Sequence, residues 1–449
     1  MPASIVDGFL RMWALAHVVH FLRRSSGVDP SGWFLMAAAC AVLVAPARWY
    51  LVAFLATVHV LTVIAAGMLV DNHSIIMMFG NIAILITLIS RIPVAAALPT
   101  MRWTLLIAYG AAALAKLNTA FFDAEVSCTT DFLGRYVRLG LDWIGMEIAV
   151  PSWFVNALPY LIATAELLVP VLLAVRRTRH VAVLLIIPLH LSMSLNPYGT
   201  GSTFTVLILA LAFLFMTREA QAHVVATIAR ALGHTVRTPS RQFVTFLAVW
   251  GFLGWIRRWG RDVDWLTPAT GVPNHTLISV LTLALVAVLI GAIFATRGSS
   301  ATPLAWRVPS MHLPVLALVA FQALNPYLGL STVPVFSMYS NLRTEADLQN
   351  HLLIPPIRVW ATQDELVTIV STDNPVLIAS MQSGDRLTLH ELRRGVAAFD
   401  DSSVEFEIRG EHHEHSPAFP HPAVKAPHPV ASFFLHHRPV PAGASRCQW

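Results

Sequence analysis

Long apolar runs with few polar interruptions recur near residues 33–46, 49–70, 74–90, 103–121, 152–175, 180–196, 202–216, 243–256, 275–295 and 309–326. A bilayer core about 30 Å thick takes roughly 20 apolar residues per helix, so these runs read as membrane crossings. Residues 5–21 add a polar-faced first helix. Asp7, Arg11, His17 and His20 interrupt its apolar run and no small-residue cleavage site follows, so it does not read as a cleavable signal. The pattern predicts about eleven crossings, with 33–46 and 243–256 short enough to be tilted or re-entrant. Beyond residue 326 no run is long enough to cross. Short runs there, "RVWAT", "LVTIVST" and "VEFEIRG", lie between turn residues and read as β-strands. The expected fold is an all-α polytopic membrane helix bundle of about eleven spans with a small, mainly β C-terminal extramembrane domain. Residues 1–295 form the transmembrane core, 296–326 an additional transmembrane helix and 327–449 a soluble Pro/His-rich tail.

Composition agrees with a chain whose first partner is the lipid bilayer. It is 56% hydrophobic and 12% charged, about half the charge of a soluble domain, and its mean hydropathy is +0.63. The net charge of +5 is spread over turns between helices, which points to membrane orientation and not to nucleic-acid binding. Arg91, Arg102, the "RRTR" at 176–179, the arginines of 218–241, Arg297 and Arg307 share one face, cytoplasmic by the positive-inside rule. Arg23, Arg24, Arg257, Arg258 and Arg261 run against it. The exoplasmic face of the cell membrane then carries "DNH" at 71–73, the connection 122–151, "NPYGTG" at 196–201 and the tail. The three cysteines make no disulfide framework and have no zinc-ligand spacing. Cys128 and Cys447 both fall on the exoplasmic side, where a disulfide would persist; a bond and two unpaired thiols are both open, and Cys40 is alone within a span.

Four regions carry candidate chemistry. In "AYGAAALAKLNTAFFDAEVSC" at 108–128, Lys116 shares a helical face with Tyr109, Ala112, Ala113 and Ala120. Either it snorkels from the outer end of its helix with its amine wet, or it is an ionisable group inside the span and functional. Burial disfavours the charged form of an amine, so an enclosed Lys116 could act as a neutral base. In "LVDNHSIIMMFGN" at 69–81, His73 opens a helix at the same membrane depth as Lys116, and Asp71 or Asn72 is placed to cap that helix. His73 is then either part of an interfacial capping loop or a hydrogen-bond and proton partner beside Lys116. Glu166 lies mid-helix, and His190 and Ser194 share a face of the next helix. These are packing contacts between helices or a transporter's proton relay, although no pair of broken helices marks two transporter halves. His17, His20 and His59 read as packing residues. "EHHEHSPAFPHP" at 411–422 reads as an adventitious metal binder, so no metal ligand is expected.

In chain order these motifs resemble the horizontally transferred transmembrane (HTTM) domain, the membrane core shared by vitamin K-dependent gamma-glutamyl carboxylase and bacterial membrane proteins. The matching positions are Asn72, His73 and Ser74 in "DNHS", Lys116, Leu117 and Asn118 in "AKLN", and His190 with Gly201 and Phe204. The resemblance spans residues 1–295 and leaves out the carboxylase's large lumenal glutamate-substrate and propeptide region, which a tail of this length cannot supply. It implies that Lys116 is the base that starts oxygenation of a reduced quinone and that His73 supports it. Asn72, Asn118 and His190, with Tyr109 and Glu166 from the reading above, would bind that quinone. The segment "FSMYSNLRTEADLQNHLLIP" at 336–355 looks like one that follows the HTTM core in bacterial relatives.

Two further expectations concern surroundings. The connection 122–151, with Leu133, Tyr136, Val137, Leu141 and Trp143, reads as an amphipathic interfacial helix over the cavity. "LNPYGTGST" at 195–203 and "LNPYLGLST" at 324–332 are either two similar helix stops or a pair of turns flanking one external cavity. Three function classes remain: a carboxylase-like membrane enzyme of lyase or oxygenase type acting on a lipid-soluble molecule, a non-catalytic scaffold or lipid-binding protein whose tail engages an exported protein, and a proton-coupled transporter.

Overall fold

The computed structural model describes residues 4–23, 30–67, 70–142, 149–195, 201–231, 238–259, 275–297, 305–355, 357, 359–441, 443 and 447. Its first part is helical: α1 (Ile5–Arg23), α2 (Pro30–Val44), α3 (Trp49–Ala65), α4 (Asn72–Ile89), α5 (Leu98–Ala115), α6 (Thr119–Phe122) and α7 (Cys128–Asp142). They are followed by α8 (Ser152–Ala174), α9 (Arg179–Ser194), α10 (Ser202–Phe213), α11 (Arg218–Ala231), α12 (Pro239–Trp259), α13 (His275–Ala295) and α14 (Leu313–Leu324). Among the described residues, four helices are long and apolar enough to cross a membrane: Ile5–Leu22, Asn72–Ile89, Ser152–Ala174 and His275–Ala295. Five more apolar helices are shorter, so the expected count of about eleven spans is not reached by length and composition. Hydropathy reads the apolar run, not where the helix stops: α3 ends at Ala65 inside the run 49–70, and Gly67 follows with a left-handed φ of 60°.

α10 shows what an all-apolar sequence means here. Its residues are buried except Phe204, which is partly so, as expected for a helix that is hydrophobic all round. At 12 residues it is about 18 Å long, shorter than a bilayer core. It packs on α1, α9 and α13 at the centre of the bundle. α8 is the opposite case: Tyr160, Leu161, Leu167 and Val171 are exposed, an outward apolar face suited to lipid.

α1 and α4 are joined by a polar seam. Trp13, His17 and His20 lie at i, i+4 and i+7 on one face of α1. Trp13 Nε1 donates to Asn81 Oδ1 at 2.9 Å, and His17 Nε2 is 3.1 Å from Asn81 Nδ2. A Cβ at Gly80 would lie 2.6 Å from the Trp13 ring, so the indole reaches the α4 backbone at this point only because the residue is glycine. His17 also bonds the Trp13 carbonyl and packs edge-on against His59, as packing residues would.

The tail holds β1 (Leu366–Thr372), α15 (Ile378–Ser383), β2 (Leu387–Thr388), α16 (Leu389–Ala398), β3 (Val404–Ile408), β4 (Glu411–His415) and α17 (Pro429–Phe434). The strands form an antiparallel sheet in the order β2-β1-β3-β4. Val367, Ile369, Leu392 and Phe406 belong to its own core. Two of the three expected strand runs are β1 and β3, whereas "RVWAT" forms none among its described residues. "EHHEH" is the charged edge strand β4, a composition that discourages further pairing.

Residue 327 is not a break in packing. Tyr327 and Leu342 form a cluster with Ala115 at the end of α5. Residues 325–355 act as a strap across the end of the bundle: Thr119 N donates to Asn350 O at 3.0 Å, and Leu352 N to Leu117 O at 2.8 Å. Asn341 has a left-handed φ of 55°, and its side chain bonds Cys128 N and Val126 O at 2.9 Å each. The end of the chain is tied to the same place, because Cys128 and Cys447 form a disulfide with Cα atoms 4.6 Å apart. Cys40 is free and buried.

Candidate functional site

Lys116 is the residue on which α5 ends. Its side chain is 5% exposed, and its Nζ stands 2.8 Å from Glu166 Oε2 of α8. The amine also donates to the Met338 carbonyl of the strap at 3.0 Å, and lies 5.7 Å from the centroid of the Phe121 ring. The amine therefore ends in protein, which is not the wet amine of a snorkelling lysine. Glu166, mid-helix and in need of a counter-charge, receives it from a residue fifty positions earlier.

Two turns back on α5, the Tyr109 hydroxyl bonds His190 Nε2 of α9. The rings meet edge-on with centroids 5.8 Å apart, and Phe204 covers the imidazole at 5.2 Å. Among the described residues, His190 Nδ1 is buried without a hydrogen-bond partner. Ser194, expected on the same face as His190, is buried as well.

Two cavities adjoin at the ion pair. The larger, of about 200 Å³, is lined by Lys116 and Glu166 together with Phe132, Tyr136, Leu158 and Tyr339, and reaches Cys128. The smaller, about 30 Å³, lies between Tyr109, His190, Phe204 and the same Lys116–Glu166 pair. α7 supplies Phe132, Leu133 and Tyr136 to one wall of the larger cavity, and α8 supplies Phe154, Leu158 and Ile162 to another. This places the amphipathic helix of the 122–151 connection over the cavity; the side chains of Leu141 and Trp143 lie outside the described residues. Burial pushes the Tyr136 hydroxyl pKa up, so it remains a neutral donor across the working pH range. Tyr339 has a left-handed φ of 52° and packs edge-on against Phe132 at 4.9 Å.

The other expected ligands separate from this cavity. Asn118 is fully buried and structural: its Oδ1 caps α6 by accepting from Phe121 N at 2.8 Å, and its Nδ2 donates to Ala115 O and Ser340 O. His73 lines neither cavity. It meets His20 of α1, Nε2 to Nδ1, at 2.7 Å. Its other neighbour is the Asp71 carboxylate at 3.6 Å, so the expected pairing of His73 with Lys116 is replaced by one with His20. Asn72 begins α4 and also lies outside both linings. Asp71 occupies the N-cap position of α4, yet its side chain makes no capping hydrogen bond.

Two residues escaped the sequence reading. His20, which reads as a packing residue taken alone, lies at i+7 from Trp13 and so on the seam. Tyr339 lies in a strap that read as part of a separate tail. Of the two similar "LNPY" turns, the first falls at 196–200, outside the described residues. The second begins the strap, where Tyr327 packs on His351 with ring centroids 5.4 Å apart. At the opposite end of α5, Arg102 donates to Leu214 O and Ala305 O, and Arg179 stacks on Trp306 at 5.5 Å. Arg102 and Arg179 thus lie at the end of the bundle opposite the Lys116 site. Comparison with protein-family models, with curated proteins and with solved structures gives no match.

Proposed function

We propose that the chain is a multi-pass membrane enzyme, with its tail on the exoplasmic side, that takes a lipid-soluble molecule carrying a weakly acidic hydroxyl into the Lys116 cavity. Such a molecule is a reduced quinone. The observation that carries the reading is the buried Lys116–Glu166 pair opening onto an apolar cavity of about 200 Å³. Apolar cavities with a few convergent polar groups are the common form of small-molecule sites. The cavity suits a one- or two-ring compound that enters from the bilayer past α8, whose far face is apolar and exposed.

The pair supplies a specific step. An ammonium and a carboxylate at 2.8 Å can accept a proton from an entering hydroxyl onto the carboxylate, keeping the ammonium beside the anion that forms. Charge is conserved within the cavity, and no water is needed. The tyrosine hydroxyls of Tyr136 and Tyr339 stand where they could orient the ring. The motif order resembling the HTTM core supports a reduced quinone, with carboxylation or oxygenation as the downstream outcomes that resemblance implies. The disulfide supports an exoplasmic tail, since such bonds persist outside the cytoplasm.

A non-catalytic lipid-binding role is favoured by one observation: the Lys116 amine already has two partners, Glu166 and the Met338 carbonyl. Binding of a reduced naphthoquinone to the purified protein in lipid nanodiscs without oxygen, followed by the absorption band of its deprotonated form, separates the readings. A bound naphtholate band at a pH where the free compound is neutral, lost in Lys116→Met and Glu166→Gln, is expected of the enzyme. Binding without proton transfer leaves the lipid-binding role, and undiminished binding by Leu158→Trp removes the cavity from the account.

A further inference from the structure

α1 and α4 bring a second set of groups together, separate from the cavity and independent of its function. One ring nitrogen each of His20 and His73 and an Asp71 carboxylate oxygen all lie within 4.8 Å of one another. Within that triangle His20 Nδ1 and His73 Nε2 are 2.7 Å apart, and His73 Nε2 and Asp71 Oδ2 are 3.6 Å apart. We propose that these three side chains form a binding site for a divalent first-row metal ion of the zinc type.

The geometry is close to what such an ion needs. Zinc binds imidazole nitrogen and carboxylate oxygen at about 2.0–2.2 Å in a tetrahedron, which sets ligand atoms about 3.3 Å apart. The His–His edge must open by about half an ångström, the His73–Asp71 edge must close by about 0.3 Å, and the His20–Asp71 edge, which is no longer than 4.8 Å, must close by up to about 1.5 Å. Two aromatic side chains on opposed helices and a carboxylate on a loop can make such shifts without moving a backbone.

Three independent features point to a ligand. Asp71 sits at the N-cap of α4, where an aspartate ordinarily accepts a hydrogen bond from the first helical amides, but its side chain makes none and faces the His73 ring instead. Ser74 Oγ stands 3.3 Å from His20 Nε2, so the far nitrogen of that ring is held by a second group, as metal-binding imidazoles commonly are. Both imidazoles are buried, while the Asp71 side chain is 64% exposed, so the ion would have protein on one side and an open position on the other. Three protein ligands with one open position is the form of a catalytic or exchangeable site, not of a closed structural one. The tail reaches the same loop, because His436 Nε2 bonds the Gly67 carbonyl at 2.7 Å.

The test uses the full chain in detergent, freed of metal by a chelator and titrated with Co2+, which reports tetrahedral nitrogen and oxygen ligation by a visible absorption band. One equivalent of Co2+ should bind, and Zn2+ should displace it. Affinity should fall tenfold or more in Asp71→Ala, and the band should vanish in His20→Gln and in His73→Gln. The histidines pack the α1–α4 seam, so Asp71→Ala, exposed and harmless to the core, decides if they fail to fold. The proposal is overturned if wild type gives no band, if Asp71→Ala binds Co2+ within twofold of wild type, or if the band is lost instead in His413→Gln/His421→Gln of the tail.

Discussion

Replacing Glu166 with glutamine keeps the shape of the side chain and removes its charge, leaving the Lys116 ammonium buried with the Met338 carbonyl as its remaining polar partner among those described. At 2.8 Å the attraction between the two charges is about 6 kcal/mol at an effective dielectric of about 20. Desolvation offsets much of that in the intact pair, but a lone buried charge keeps the whole penalty, and breaking such pairs costs about 3–5 kcal/mol. Glu166→Gln should therefore destabilise the protein by about 3 kcal/mol, and Lys116→Met by a similar amount. The double variant Lys116→Met/Glu166→Gln, with no charge to strand, should return to within about 1 kcal/mol of wild type. Denaturant unfolding of the four proteins in one detergent gives the coupling energy directly, expected at about 3 kcal/mol or more. Additive single effects, with a coupling below about 0.5 kcal/mol, would refute the pair. A snorkelling lysine predicts that outcome, because exposed ion pairs contribute at most about 1 kcal/mol.

Three other outcomes follow from the strap and the tail. Asn118→Ala removes the α6 cap and both carbonyl contacts of a fully buried side chain, a loss of about 2 kcal/mol or more. Limited proteolysis should then cut within residues 343–355 faster than in wild type; an unchanged rate would argue against the strap. Peptide mass spectrometry after alkylation without reductant should recover Cys128 linked to Cys447 and Cys40 alkylated only after unfolding, and finding all three alkylated in the folded protein would remove the bond. In the tail, burial holds the His437 imidazole down to about 3, with His390, His436 and Arg394 adding to the effect. The folded tail thus stays neutral there while the unfolded chain takes up a proton below its ordinary value of about 6.5. That stability is complete above this pH and is lost at up to about 1.4 kcal/mol per unit as pH falls toward the folded value. Glu391, whose carboxyl burial pushes up, opposes the trend as it protonates in the fold. Tail unfolding followed by circular dichroism at pH 7 and pH 5 should show the loss, and His437→Phe should flatten it.

The helical character and the position of most helices were legible because apolar runs of membrane length have few alternatives. Helix ends were not: the α3 run continues past Ala65, and nothing in hydropathy distinguishes the central α10 from a lipid-facing span. β1 and β3 were legible from their alternation, whereas the strap was hidden. Several of the contacts that fix it are backbone carbonyls and amides, such as Met338 O on Lys116, which no side-chain pattern encodes. The site was half legible. Lys116, Glu166, Tyr109 and His190 were each conspicuous as polar groups in apolar helices, but their pairing depends on which helix faces share an interface. His73 and Lys116 share an end of the bundle, as the antiparallel α4 and α5 require, yet His73 turns toward α1. The stripe Trp13, His17, His20 carried that information, and reading each histidine alone discarded it.

The central claim is that the Lys116–Glu166 cavity takes a proton from a lipid-soluble substrate. The most direct measurement is aerobic oxidation of a reduced naphthoquinone by the purified protein in nanodiscs, with Lys116→Ala at equal folded concentration beside it. Turnover above the protein-free rate that falls at least a hundredfold in Lys116→Ala, the order expected when the donor beside the forming anion is lost, is the predicted result. Turnover unchanged by the substitution would contradict it.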